Sequence, residues 1–168
     1  MSPDLYWIVG PWRGRLAIAA RPRGGDWLDD ELSGWRQAGI DVVVSLLENE
    51  EAVQLNLLEE SQIAEANSIR FISFPIPDRG VPASIPAAVS LMSGIARALE
   101  EGKNVAVHCR QGIGRSGLIA AGILGAAGVS LDDAIQAVSS ARGLDVPETL
   151  DQRLWVQGLR LKPPVGAG

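Results

Sequence analysis

The stretch NVAVHCRQGIGRSG, residues 104–117, decides how this chain is read. Asn104–His108 is a short apolar, β-branched run, and Gly117–Val129 is the longest apolar stretch, full of Gly and Ala. A strand is therefore expected to end at His108, and a helix to start near Gly114. The loop between them contains Gly112 and runs into Gly114, which lets the backbone curve tightly with its amides turned inward. Unpaired amides at a helix N-terminus, together with the positive end of its dipole, make an anion cradle. Cys109 sits at the base of that cradle, where the same amides favour the nucleophilic thiolate. Arg115 lies in the first helical turn, where its planar fork can grip two oxygens of a phosphoryl group. Ser116 can donate a hydroxyl hydrogen bond to the thiolate. Arg110, Gln111, Gly112, Ile113 and Gly114 supply the rest of the phosphate-binding backbone.

Working outward, the pattern repeats strand and helix. Arg15–Ala20, Asp41–Leu47 and Arg70–Ile76 are three further β-rich runs. Between the runs lie helical stretches at Asp26–Ala38 (Leu28, Leu32 and Trp35 on one face) and at Ala52–Ala66. Another starts from the N-cap Ser84 and carries the stripe Ile85, Val89, Met92, Ile95 and Leu99. This alternation implies βα crossovers, and so an α/β fold whose central sheet has about four mostly parallel strands flanked by helices. The C-terminal third is helical. After Gly114–Ala127, a helix capped by Ser130 stops at Gly143, and a last one runs from about Thr149 to Leu161. The five tryptophans, Trp35 and Trp155 among them, are assigned to packing. One domain over residues 1–168 is expected, with residues 1–13 peripheral and Lys162–Gly168 a frayed tail.

Composition narrows the function. The chain has 168 residues, a net charge of −5, one cysteine and one histidine. One cysteine forms no internal disulfide, and one Cys with one His makes no zinc site, so neither a metal nor another cofactor is expected. The acidic balance argues against nucleic acid as a partner. No secretory signal pattern opens the chain, and Gly117–Val129 is too short to span a membrane, so a cytoplasmic protein is expected. Taken singly, a cysteine is an ordinary small core residue, and an arginine near a helix start is ordinary surface. At these offsets together they read as a nucleophile in a phosphate cup.

The run His108-Cys109-x5-Arg115-Ser116 resembles the signature loop of the cysteine-dependent protein tyrosine phosphatases. From about Gly14 to Leu161 the chain resembles their dual-specificity-like branch, particularly the group that includes the kinase-associated phosphatase. The resemblance implies a phosphotyrosine protein phosphatase-like fold and a phosphocysteine intermediate. It further implies Cys109 as nucleophile, Arg115 and Ser116 as its partners, and a supporting role for His108 against nearby backbone. An alkoxide or phenoxide leaving group needs a proton. Phe74-Pro75-Ile76-Pro77-Asp78-Arg79-Gly80 follows a strand, so Asp78 belongs on the sheet edge that also carries Cys109. The resemblance likewise places a general acid on such a loop.

Val146-Pro147-Glu148-Thr149-Leu150-Asp151-Gln152 resembles the family's water-positioning loop, Gln-Thr-x-x-Gln, but with Glu148 in the first position. Gln152 is therefore the candidate for placing the hydrolytic water. The expected substrate is a phosphorylated protein or peptide carrying phosphotyrosine or phosphoserine/threonine, because the loop lacks the lysines that phosphoinositide phosphatases tend to carry. A sugar or lipid phosphomonoester, sulfur transfer of the rhodanese kind, and a phosphate-binding module without turnover are the alternatives. Arg13, Arg15, Arg21 and Arg23 form either an approach to the site or a solvated basic face. Oligomeric state is open.

Overall fold

The two runs richest in β-branched residues form the centre of the sheet. In the computed structural model, which describes residues 4–161, β3 (Val42–Ser45) and β5 (Val105–His108) pair in parallel, and every residue of both is buried. That full burial is what a strand covered on both faces requires. β2 (Leu16–Ala19) joins the other side of β5, and β4 (Arg70–Ser73) joins β3, both parallel. β1 (Tyr6–Ile8) adds an antiparallel edge to β2, giving the order β1-β2-β5-β3-β4. The sheet thus has five strands rather than the expected four. The extra one is only three residues long and lies in the segment expected at the periphery. Its pairing is a tertiary matter, fastened by the Arg15 guanidinium lying 4.2 Å over the Trp7 ring.

Two helical layers cover the sheet. On one face, α1 (Leu28–Gln37) and α3 (Glu60–Ala66) bury Leu28, Leu32, Trp35 and Ala64 against Ala19, Val43 and Ala106. On the other, α4 (Ile85–Glu100), α5 (Gly114–Ala126), α6 (Leu131–Arg142) and α7 (Leu150–Gln157) pack over Ile18, Val44, Val105 and Val107. Residues of β5 therefore alternate between the two cores: Ala106 faces one, Val105 and Val107 the other. All of α5 is buried, which explains a sequence with no polar face. Its glycines admit close neighbours: a Cβ at Gly122 would collide with the Met92 thioether of α4.

The caps follow the sequence. Ser84 Oγ accepts the Ala87 amide, Ser130 Oγ accepts the Asp133 amide, and Gly143 takes the left-handed conformation at φ +82°. The segment expected as one helix over Ala52–Ala66 is instead two, α2 (Asn49–Gln54) and α3. Asn56 adopts φ +57°, and Leu57 turns inward between them, its amide bonded to Ala52 O. Helix α2 also begins earlier than expected, because the Glu51 carboxylate reaches back to the Glu48 amide at 3.1 Å. Ile85 heads the stripe on α4 but is exposed, since it sits in the first turn beyond the edge of the core. Helix α7 ends at Gln157, short of the expected Leu161, at Gly158. The tail 162–168 lies outside the described residues. Among those described, no helix is long and apolar enough to cross a membrane.

Because β2, β5, β3 and β4 are all parallel, their C-terminal ends open at one edge. The segments after Ala19, Ser45, Ser73 and His108 meet there. The α4–α5 contact holds one of the layers behind that edge. Met92→Ala is expected to lower unfolding free energy by about 3 kcal/mol, since the cavity faces a helix with no side chain to fill it. Urea denaturation of the two proteins checks this.

Candidate active site

The loop between β5 and α5 has the shape its glycines allow. Gly112 lies at φ +72°, and a Cβ there would sit 2.6 Å from the Ala19 carbonyl carbon, so no other residue fits. Its amide donates to Cys109 Sγ at 3.3 Å. The loop's outward carbonyls are held from behind. Arg142, at the end of α6, donates through Nε to Gly112 O at 3.1 Å, while its guanidinium lies 4.2 Å over the Tyr6 ring. With carbonyls fastened outside and the Gly112 amide turned to the sulfur, the loop and the first turn of α5 have the form of an anion cup around it. The thiol is nearly buried and opens onto a cleft of about 150 Å³.

Arg115 is 2% exposed and is the most heavily bonded side chain at the cleft. Its Nη1 and Nη2 meet Glu51 Oε1 and Oε2 at 2.6 and 2.9 Å, a two-pronged pair. Nη1 also donates to Ile76 O at 3.0 Å, and Nη2 to Asp78 Oδ1 at 3.3 Å. Burial by itself would push the Glu51 carboxyl up. The Arg115 hydrogen bonds, the Glu48 amide and the charges of Arg115 and Arg110 outweigh it, and hold that carboxyl below its ordinary range. Burial would likewise favour loss of the Arg115 proton, but the Glu51 carboxylate and the Cys109 and Asp78 charges keep it bound more tightly than usual. Arg115 is a fixed cation.

Asp78 reaches the same cleft on the turn after β4, where Gly80 N donates to Pro77 O at 2.8 Å. Its side chain is 59% exposed, with one carboxylate oxygen directed at Arg115. The expected trio of Cys109, Arg115 and Asp78 therefore shares one cleft, with Gln111 and Gly114 on its wall. Arg110 Nη1 lies 4.0 Å from Glu51 Oε2.

Two expectations take a different form. Ser116 Oγ is buried and makes no hydrogen bond to any described protein group, the sulfur included. Gln152 does not line the cleft. Its Oε1 accepts the Thr149 amide at 3.2 Å as part of the α7 cap, and its Nε2 donates to Gly80 O at 2.9 Å. The carboxamide is spent on holding the Asp78 turn against α7. The residue facing the cleft from this loop is Glu148, paired with Arg79 at 2.9 Å.

Nothing local in the sequence marks Glu51, Glu60 or Arg142, because each approaches the Cys109 loop from another element, and Arg79, beside Asp78 on the same turn, is marked only by its pairing with Glu148. Of the four arginines considered as an approach, Arg15 lies at the far end of β2. Arg21 follows the near end, its amide bonded to Arg110 O at 3.3 Å, and Arg23 pairs with Glu31 at 2.6 Å.

The family model described as "Tc-R-P: Polymorphic toxin system, DSP-PTPase phosphatase" matches residues 17–128. Among solved structures, the fold is similar to kinase-associated phosphatase with its catalytic-site cysteine changed to serine, at a TM-score of 0.84 and 19% identity over 93% of each chain. It is also similar to Tk-PTP in the active form, at a TM-score of 0.73 and 29% identity over 93% of this chain and 95% of that one. Human DUSP28 gives 0.61 and 20% over 94% and 95%. Comparison with curated proteins finds no match.

Two outcomes follow from the cup and its arginine. Gly112→Ala is expected to leave the protein folded by circular dichroism but to weaken vanadate binding at least about tenfold, because the loop must move off Ala19. Glu51→Gln is expected to lower unfolding free energy by about 3 kcal/mol at neutral pH, since Arg115 loses its buried counter-charge. Glu51 ionises below its ordinary value of 4.5 in the folded protein. Its contribution is therefore complete above that pH and is lost as pH falls through the folded value. The gap between wild type and Glu51→Gln should narrow below pH 4.5 in denaturation series.

Proposed function

We propose that this chain, which belongs to the DSP-PTPase phosphatase family of polymorphic toxin systems, hydrolyses phosphotyrosine and phosphoserine/threonine of proteins through a phosphocysteine intermediate. The observation that carries the reading is the meeting of Cys109, Arg115 and Asp78 in one cleft above inward-facing amides.

The substrate phosphoryl group sits in the cup, its oxygens on the loop amides and the Arg115 fork. Cys109 Sγ attacks phosphorus; the S–P bond forms as the P–O bond to the leaving group breaks. Asp78, protonated for this step, gives its proton to the departing oxygen. A water then attacks the phosphocysteine, Asp78 takes back a proton, and the S–P bond breaks to return the thiolate. The Ser116 hydroxyl, unpartnered among the described residues, is available to donate to the sulfur when it carries charge. Arg115 keeps its charge during the cycle, so one positive charge faces the phosphoryl oxygens throughout.

The rim supports a single phosphate. Beyond the cup, Arg79 is already paired with Glu148, and Arg110 lies toward Glu51, so the cleft has little positive charge left for a polyphosphorylated headgroup. A free catalytic thiol also suits the reducing cytoplasm.

Cys109→Ser is expected to abolish hydrolysis of an aryl phosphate and of phosphotyrosine peptide. Asp78→Asn should lower kcat about 100-fold while KM changes less than about threefold. Full activity in Cys109→Ser would overturn the reading. A panel of phosphopeptides, phosphosugars and phosphoinositides on one preparation should give the highest kcat/KM for a phosphopeptide.

A further inference from the structure

Behind the nucleophile lies a buried pair that the reaction as written does not use. His108, the last residue of β5, points to the opposite face of the sheet from Cys109, into the core beneath α1 and α3. Its ring is fully buried, edge-on to Trp35 with centroids 5.9 Å apart. Nε2 lies 2.6 Å from Oε2 of Glu60, the first residue of α3, which is 2% exposed. Nδ1 lies 3.2 Å from the carbonyl oxygen of Cys109.

The two contacts constrain the protons. A carbonyl oxygen only accepts, so Nδ1 must carry hydrogen. A carboxylate beside a neutral imidazole would instead draw the single ring proton to Nε2, leaving Nδ1 bare against the Cys109 oxygen. Both contacts are satisfied together only if the pair holds one more proton, shared between Nε2 and Glu60, with Nδ1–H kept on the carbonyl. A paired proton also avoids leaving an isolated charge at a fully buried site.

That arrangement bears on the cup directly. In a trans peptide the C=O and the following N–H point in opposite directions. Holding Cys109 O back toward His108 therefore turns the Arg110 amide forward, away from the α3 side and toward the phosphate loop's interior. We propose that Glu60 is a positioning residue for the nucleophile loop: through His108 it fixes the Cys109 carbonyl and so aims the first amide of the anion cup. The inference deepens the phosphatase reading and rests on it for its effect on turnover, but the proton arrangement and oxyanion binding can be read without turnover.

The single histidine makes the test clean. In protein labelled with 15N-histidine, NMR of the ring is expected to show hydrogen on Nδ1, retained in Glu60→Gln. There the carboxamide N–H donates to Nε2, and neutral imidazole keeps its Nδ1–H. Glu60→Gln should hold kcat and the vanadate inhibition constant within about threefold of wild type. Glu60→Met removes the partner of Nε2 at similar volume; it should weaken vanadate binding about tenfold and lower kcat by a factor of about 10 to 100. A wild-type ring with hydrogen on Nε2 alone would overturn the proposal, and this holds even if Glu60→Met fails to fold. So would a folded Glu60→Met that binds vanadate and turns over like wild type. If wild type binds vanadate with the expected ring signature but hydrolyses no phosphomonoester, the phosphatase reading fails while the positioning role stands.

Discussion

The pairing of Arg115 with Glu51 is the contact on which the rest of the site depends. It joins three separate pieces of chain: the first turn of α5, the helix α2 after β3, and, through Ile76 O and Asp78, the turn after β4. A guanidinium this deeply buried cannot stand alone, because an unpaired charge in such a site costs several kcal/mol. The Glu51 carboxylate meets that need and orients the fork, leaving Nη2 toward the cleft. Glu51 is in turn placed by its own bond to the Glu48 amide, which starts α2. A helix cap therefore decides where Arg115, the arginine proposed to bind phosphate, sits.

The same logic of fastening from behind runs through the loop. Arg142 takes the outward carbonyl of Gly112, and His108 takes that of Cys109. Tyr6 on the edge strand flanks Arg142, so even the short β1 supports the cup. Beyond the Arg115 bonds to Ile76 O and Asp78, the Asp78 turn is tied by an ion pair from Arg79 to Glu148 and by one hydrogen bond from Gln152 to Gly80. An exposed pair of that kind adds at most about 1 kcal/mol. The carbonyls of the Cys109 loop are fastened from within the fold, whereas the outer side of the Asp78 turn is held by these weaker contacts, which suits the acid role proposed for Asp78.

Local chemistry made much of this legible in the sequence. The parallel strands, the caps at Ser84 and Ser130, the stop at Gly143 and the apolar α5 beyond its first turn each follow from a few neighbouring residues. Cys109, Arg115 and Asp78 stood out because a scarce thiol, a glycine-bearing loop and a strand-end turn are local signals. What stayed hidden was long-range. Glu51 lies 64 positions from Arg115 and Glu60 lies 48 from His108, and nothing near either glutamate marks it among twenty acidic residues. The break at Asn56 went unseen because asparagine in a polar, Leu-rich run does not by itself signal a left-handed turn. A motif position marks Gln152, whereas its bond to Gly80 joins segments 72 positions apart and has no local signal.

The central claim is that Cys109 forms a covalent bond to phosphorus. Acid-quenching the enzyme during turnover of a phosphotyrosine peptide, followed by mass spectrometry of its peptides, tests it most directly. The account predicts a phosphoryl adduct on Cys109 that accumulates when the second step is slowed and is absent without substrate. Steady turnover with no adduct on Cys109, or an adduct on another residue, would contradict it.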